Sequence, residues 1–132
     1  MKNELHKEHF LNIVKEVVMM EWLNIISNTD CMIHDIYIKD SSLVVNIRLW
    51  DRTIKQLKFL NYYIFKEYRS IDEEIGDVKI QTNSLMLDEL KQNILNGDGT
   101  TDEIAGVKSI LFYNAWNDRI ILEVLAESIE FE

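Results

Sequence analysis

Apolar residues in the first segment recur at three and four positions. Phe10, Ile13, Val14, Val17 and Met20, followed by Trp22, Leu23 and Ile26, mark a helix from Glu4 to about Ser27 that buries one face. Its second half is apolar nearly all round, which asks for cover from a sheet, a second subunit or both. After Asn28-Thr29-Asp30 the period changes to two. Met32, His34, Ile36 and Ile38 then alternate with Ile33, Asp35, Tyr37 and Lys39, which predicts a strand with His34 turned inward. Beyond an Asp40-Ser41-Ser42 turn, Leu43, Val45, Ile47 and Leu49 share one face of a second strand. A three-residue loop, Asp51-Arg52-Thr53, then sets Ile47 against Leu57 and Val45 against Phe59 in a third.

Ser70-Ile71-Asp72-Glu73 reads as a capping box opening a helix of one or two turns, with Gly76 at its exit. Val78, Ile80 and Thr82 predict a short strand. Leu87, Leu90 and Ile94 place one face of a further helix on the core, and a polar loop runs from Asn96 to Glu103. With Asn117-Asp118 as a two-residue turn, the last hairpin pairs Tyr113 with Leu122 and Leu111 with Val124 inside, and Ile110 with Leu125 and Lys108 with Glu127 outside. The expected fold class is α+β. It consists of a long N-terminal helix packed on a mainly antiparallel sheet of about six strands, with one further short helix before a C-terminal hairpin.

Length and composition narrow the class. A chain of 132 residues, 47% hydrophobic, fits one domain spanning residues 1–132 with a core that needs no staples. One cysteine, Cys31, excludes an internal disulfide and a CxxC pair, so a reducing, cytoplasmic setting is expected. No apolar run is long enough to cross a membrane as a helix, and the first residues lack the pattern of a secretory leader. Eighteen Ile, eleven Asn, three Ala and no Pro suggest the bias of an AT-rich genome.

Charge changes the picture most. The formal net charge of -9 is uneven: residues 39 to 69 carry seven Lys or Arg against three acids, whereas residues 70 to 132 carry four against fourteen. Arg48, Trp50 and Lys58 therefore form a candidate aromatic and basic face on the central hairpin. Such a face suits stacked bases and phosphates, but the overall charge opposes a polyanion, leaving a protein interface or a solvated sheet face. In the acidic half, Asp72, Glu73, Asp77, Asp98, Asp102 and Glu103 are candidates for binding a basic partner.

Other motifs carry less. The Asn96 to Glu103 loop clusters oxygen ligands around glycines, yet an EF-hand register would set Ile94 and Ala105 at its carboxylate positions, so no calcium is expected. His6 and His9 lie three apart without further ligands, and Cys31 and His34 face opposite ways on a strand. No phosphate loop, nucleophile elbow or His-Glu-x-x-His motif is present. No catalytic residue, metal or cofactor is therefore assigned. His34, Tyr37 and Tyr113 are the candidate pocket if a small molecule binds.

The His34-Asp35 pair, Leu43 to Ile47, Leu57 to Phe59, Glu74-Ile75-Gly76 and the closing Ile120 to Leu125 strand together resemble small bacterial proteins of the YxiG-like group over roughly residues 22 to 126. Some of that group sit beside toxin genes, so the resemblance implies an immunity role and carries no site residues. The expected function is a non-enzymatic protein-binding module, an immunity protein neutralising a basic toxin. The alternatives are a small-molecule-binding domain or enzyme near His34, and a homodimeric structural component built on the apolar helix 13 to 26.

Overall fold

The computed structural model describes residues 21–26 and 29–132. Eight strands form two antiparallel four-stranded sheets packed face to face. The first sheet is ordered β1 (Cys31–Lys39), β2 (Ser42–Leu49), β3 (Ile54–Leu60), β8 (Ser128–Phe131). The second is ordered β4 (Ile64–Glu67), β7 (Ile120–Ala126), β6 (Lys108–Asn114), β5 (Ile75–Gln81). Between β5 and β6 come α1 (Leu85–Asn96) and a 3-10 turn, Thr101–Ile104.

This corrects the expected α+β class: the fold is mostly β, with two sheets in place of one. The expected long N-terminal helix falls largely outside the described residues; of it, 21–26 are described and are helical. Within them Trp22 and Ile26 are buried in the chain's own core, so those two side chains need no second subunit to cover them. The missed strands, β4 and β8, are four residues each and stand at sheet edges. Four residues offer only two on each face, too few to establish a period.

The main core lies between the sheets. Val45, Leu57 and Phe59 from the first meet Val78, Ile110, Phe112, Leu122 and Val124 from the second. Phe59 and Phe112 bridge them edge to face, ring centres 6.4 Å apart at 76°, the geometry that the ring quadrupoles favour. A smaller core holds the other face of the second sheet: Met86 and Leu87 of α1 close with Ile104 and Val107 over Leu125. Ser84 starts that helix, its Oγ accepting the Leu87 N–H at 3.1 Å, a favourable N-cap.

Both hairpin registers differ from expectation, in different ways. In β2–β3 the partners are Val45 with Leu57 and Ile47 with Lys55. The loop has three residues but consists of Trp50-Asp51-Arg52. Leu49 donates to the Thr53 carbonyl at 2.8 Å, and Arg52 takes the left-handed conformation at φ 70°. Asp51 accepts the Thr53 N–H at 3.0 Å; that contact holds its carboxyl below the ordinary range. The shift is two residues, so every side chain keeps its face. In β6–β7 the shift is one, and the faces of β6 exchange: Ile110 pairs with Val124 and Phe112 with Leu122 inside, while Leu111 turns to the opposite side of the sheet, where Leu125 packs under α1. Both faces of these strands are apolar because both are covered, which removes the alternation that sets register.

Ser70 caps no helix. Its N–H and Oγ both donate to the Glu67 carboxylate upstream, the hydroxyl at 2.8 Å. Residues 71–74 instead lie along the edge of β1, and Gly76 is part of β5.

Candidate functional site

Two turns and one edge segment meet at one end of the sandwich. Glu74 shares a cleft of about 620 Å³ with Asp30, Cys31, Arg48, Trp50 and Arg52. The Glu74 carbonyl accepts the Ala115 N–H at 3.0 Å, and the Glu73 carboxylate accepts from Asn114 Nδ2 at 2.6 Å. The β2–β3 and β6–β7 turns therefore stand on either side of residues 72–74.

Asn114, 4% exposed, organises the second turn. Its Oδ1 accepts the N–H groups of Trp116 (2.8 Å) and Asn117 (3.3 Å), while its own N–H reaches the Arg119 carbonyl at 2.7 Å. These bonds make a four-residue loop, Ala115 to Asp118, in place of the expected two-residue turn. Trp116 is thereby held outward at 83% exposure, as Trp50 is at 72% on the facing turn. Arg48 pairs with Asp72 at 3.7 Å, and Arg119 pairs with Glu73 at 3.8 Å while donating to the Tyr68 carbonyl at 3.1 Å. At this surface exposure the pairs contribute little stability, but they orient the turns.

The structure divides the candidate residues. Arg48, Trp50, Asp72 and Glu73 come together here although the sequence separates them into a basic and an acidic group. Lys58 lies toward the middle of the first sheet's outer face, between Val44 and Glu130 in the neighbouring strands. Asp77 faces Tyr113 across β5–β6, its carboxylate accepting the N–H of Val78 at 2.9 Å. Asp98, Asp102 and Glu103 lie before the far end of β6, about 20 Å away along the strand, so the acids do not form one surface. Gly97 and Gly99 both donate to the Ile94 carbonyl; the acidic loop ends α1. Among the described residues no three His, Cys, Asp or Glu side chains are placed to hold a metal ion.

His34, Tyr37 and Tyr113 form no pocket. His34 is the extra residue of a bulge between Ile33 and Asp35 and is exposed, not turned inward; the bulge restarts the alternation there. Tyr37 lies over the first sheet's outer side, its hydroxyl 3.4 Å from Gln56 Nε2. Tyr113, on the second sheet, carries Lys79 Nζ 5.0 Å above its ring.

Cys31 is buried, and burial together with the Asp30 and Glu74 carboxylates pushes its thiol from 9.0 up to about 11. It stays protonated at neutral pH and is a poor nucleophile. In the unfolded chain it ionises near 9.0, so between that pH and about 11 the folded form retains a proton that the unfolded form has released. The stability of wild type relative to Cys31→Ala is therefore expected to fall as pH rises through this window, and to be flat below it, by paired urea titrations. A difference that is unchanged across the window contradicts the assignment.

Comparison with family models, with curated proteins and with solved structures gives no match. No helix among the described residues is long and apolar enough to cross a membrane. Sequence reasoning did not single out Asn114, Trp116 or Arg119 as site residues. The available signal was an Asn four positions ahead of the Asp118 turn residue, an arrangement that favours local side-chain bonding to the backbone.

Proposed function

We propose that this chain is a non-enzymatic protein-binding module whose partner is a cationic protein docked between the Trp50 and Trp116 turns. The observation that carries the reading is the cleft in which Trp50 stands with the Asp30 and Glu74 carboxylates, next to the turn that exposes Trp116, with Arg48 and Arg119 offset by Asp72 and Glu73. Trp and Arg are the side chains that most often dominate the energy of protein interfaces. The net charge of -9 attracts a basic partner at long range and speeds its capture, while the tryptophans hold it at short range. That charge and the YxiG-like resemblance favour an immunity protein that covers the active site of a basic toxin. The protonated Cys31 and the absence of His34 from the cleft lining support binding over catalysis.

Pull-down from the native host in low salt tests this reading. Wild type is expected to retain a basic protein, and the Trp50→Ala/Trp116→Ala double variant to bind it at least about 100-fold more weakly. Deleting the gene should sensitise the host to that protein if it is a toxin. Retention of no partner, or equal retention by both forms, removes the proposal.

A further inference from the structure

Among the described residues, the edge of β1 is closed along its first half and open along its second. Ile33 donates to the Glu73 carbonyl at 3.2 Å and accepts from the Asp72 N–H at 2.8 Å, so residues 71–74 seal the edge up to the His34 bulge. Beyond it, no described strand pairs with the outer side of residues 35–39. Such an edge offers unpaired N–H and C=O groups to another strand.

Which groups face outward follows from the turn. Lys39 and Ser42 flank a two-residue connection with φ of 50° at Asp40 and 65° at Ser41. This is the primed turn, whose flanking residues form a hydrogen-bonded pair. Alternation from that pair directs the backbone groups of Tyr37 and Asp35 toward β2 and those of Ile36 and Ile38 outward. The Ile36 and Ile38 side chains oppose the buried Val45 and Leu43. They line an apolar groove of about 330 Å³ with Phe65 and Ile71. Ile38 and Ile71 are 57% and 47% exposed, an apolar patch beside this edge.

We propose that a second copy of this chain occupies the edge, β1 against β1, antiparallel and centred on Tyr37. In that register Ile36 of one copy faces Ile38 of the other, twice, and all four outward backbone groups of each copy are satisfied. Centring on Ile36 sets Ile38 against the bulged His34, and centring on Ile38 sets Ile36 against Asp40 in the turn. The Tyr37 register also places Asp35 opposite Lys39 in both halves. A lysine on an edge strand ordinarily guards against pairing; here it meets a carboxylate. Asp35 engages Asn46 through Oδ1 at 2.7 Å, leaving Oδ2 for the lysine. The isoleucines of both copies then cover the groove, and the two first sheets join into one of eight strands. This surface is separate from the Trp50 and Trp116 end.

Sedimentation equilibrium of the full chain tests the proposal. Wild type is expected to dimerise at roughly micromolar concentration, as befits a short strand contact. Lys39→Glu, which opposes like charges, should weaken the dimer about tenfold, and the combined D35K/K39E variant should restore it. Amide hydrogen exchange of wild type provides a readout independent of any variant: Ile36 and Ile38 should gain protection as concentration rises. A monomer at about 100 µM, or a dimer that the charge exchange does not weaken and restore, overturns the proposal, as does exchange at these amides that ignores concentration.

Discussion

Phe112→Ala is expected to lower the free energy of unfolding by about 3–5 kcal/mol, measured by urea denaturation. Phe112 is fully buried, on a strand flanked by β5 and β7, and its ring meets Phe59 across the two sheets. Truncation leaves a cavity that neighbouring strands, held by their ladders, cannot close. A domain of this size has about 5–15 kcal/mol in all, so the variant should lie near its unfolding threshold at moderate temperature. The same experiment separates the two registers of the last hairpin. In the observed one, Phe59→Ala and Phe112→Ala remove parts of a single contact, and their effects should depart from additivity by at least about 0.5 kcal/mol. Leu111→Ala, on the opposite face of β6, should add independently to Phe59→Ala. Coupling of Phe59 to Leu111 in place of Phe112 would return the strand to the other register.

Substitution at Gly76 is the second large effect. A Cβ built there lies 2.6 Å from Ala115 Cα and 3.1 Å from its backbone nitrogen, so Gly76→Ala forces backbone apart and should cost about 1–3 kcal/mol. Asparagine decides the cause. At a helix exit in the left-handed conformation, the role that the sequence suggests for Gly76, Asn is tolerated better than Ala. Where the neighbouring backbone is the obstacle, the larger Asn should be at least as damaging as Ala. Thermal unfolding of both variants distinguishes the two; an Asn variant clearly more stable than the Ala variant would count against close approach.

What was legible in the sequence is local or strongly periodic. The inward set Leu43, Val45 and Ile47 was readable because it alternates with the polar Ser42, Asn46 and Arg48, although Val44 and Ser42 are buried as well. The helix of Leu87, Leu90 and Ile94 was readable from its three- and four-residue spacing, and α1 carries all three. His34 was misplaced because a bulge adds one residue without changing residue type, and alternation counted through it inverts. Ser70-Ile71-Asp72-Glu73 fits a capping box letter by letter, yet the segment gains more by sealing the β1 edge through Ile33 than a helix of one turn can supply.

The candidate site was half legible. Arg48, Trp50, Asp72 and Glu73 were each singled out, in two groups of opposite charge. Their meeting depends on β5 starting beside the end of β6, which set residues 72–74 between two turns. Trp116 is near a turn in either register, and the Asn114 bonds show what holds it outward.

By itself, then, the sequence determined the apolar faces of β2 and β3, the presence of α1 and the uneven charge, because each depends on neighbours within a few residues. Tertiary structure decided the two-sheet architecture, the final register, the exposure of His34 and the convergence of the two tryptophan turns. Those depend on which surface covers each strand and on where distant edges close, and burial on both faces or a single inserted residue erases that information from the local pattern.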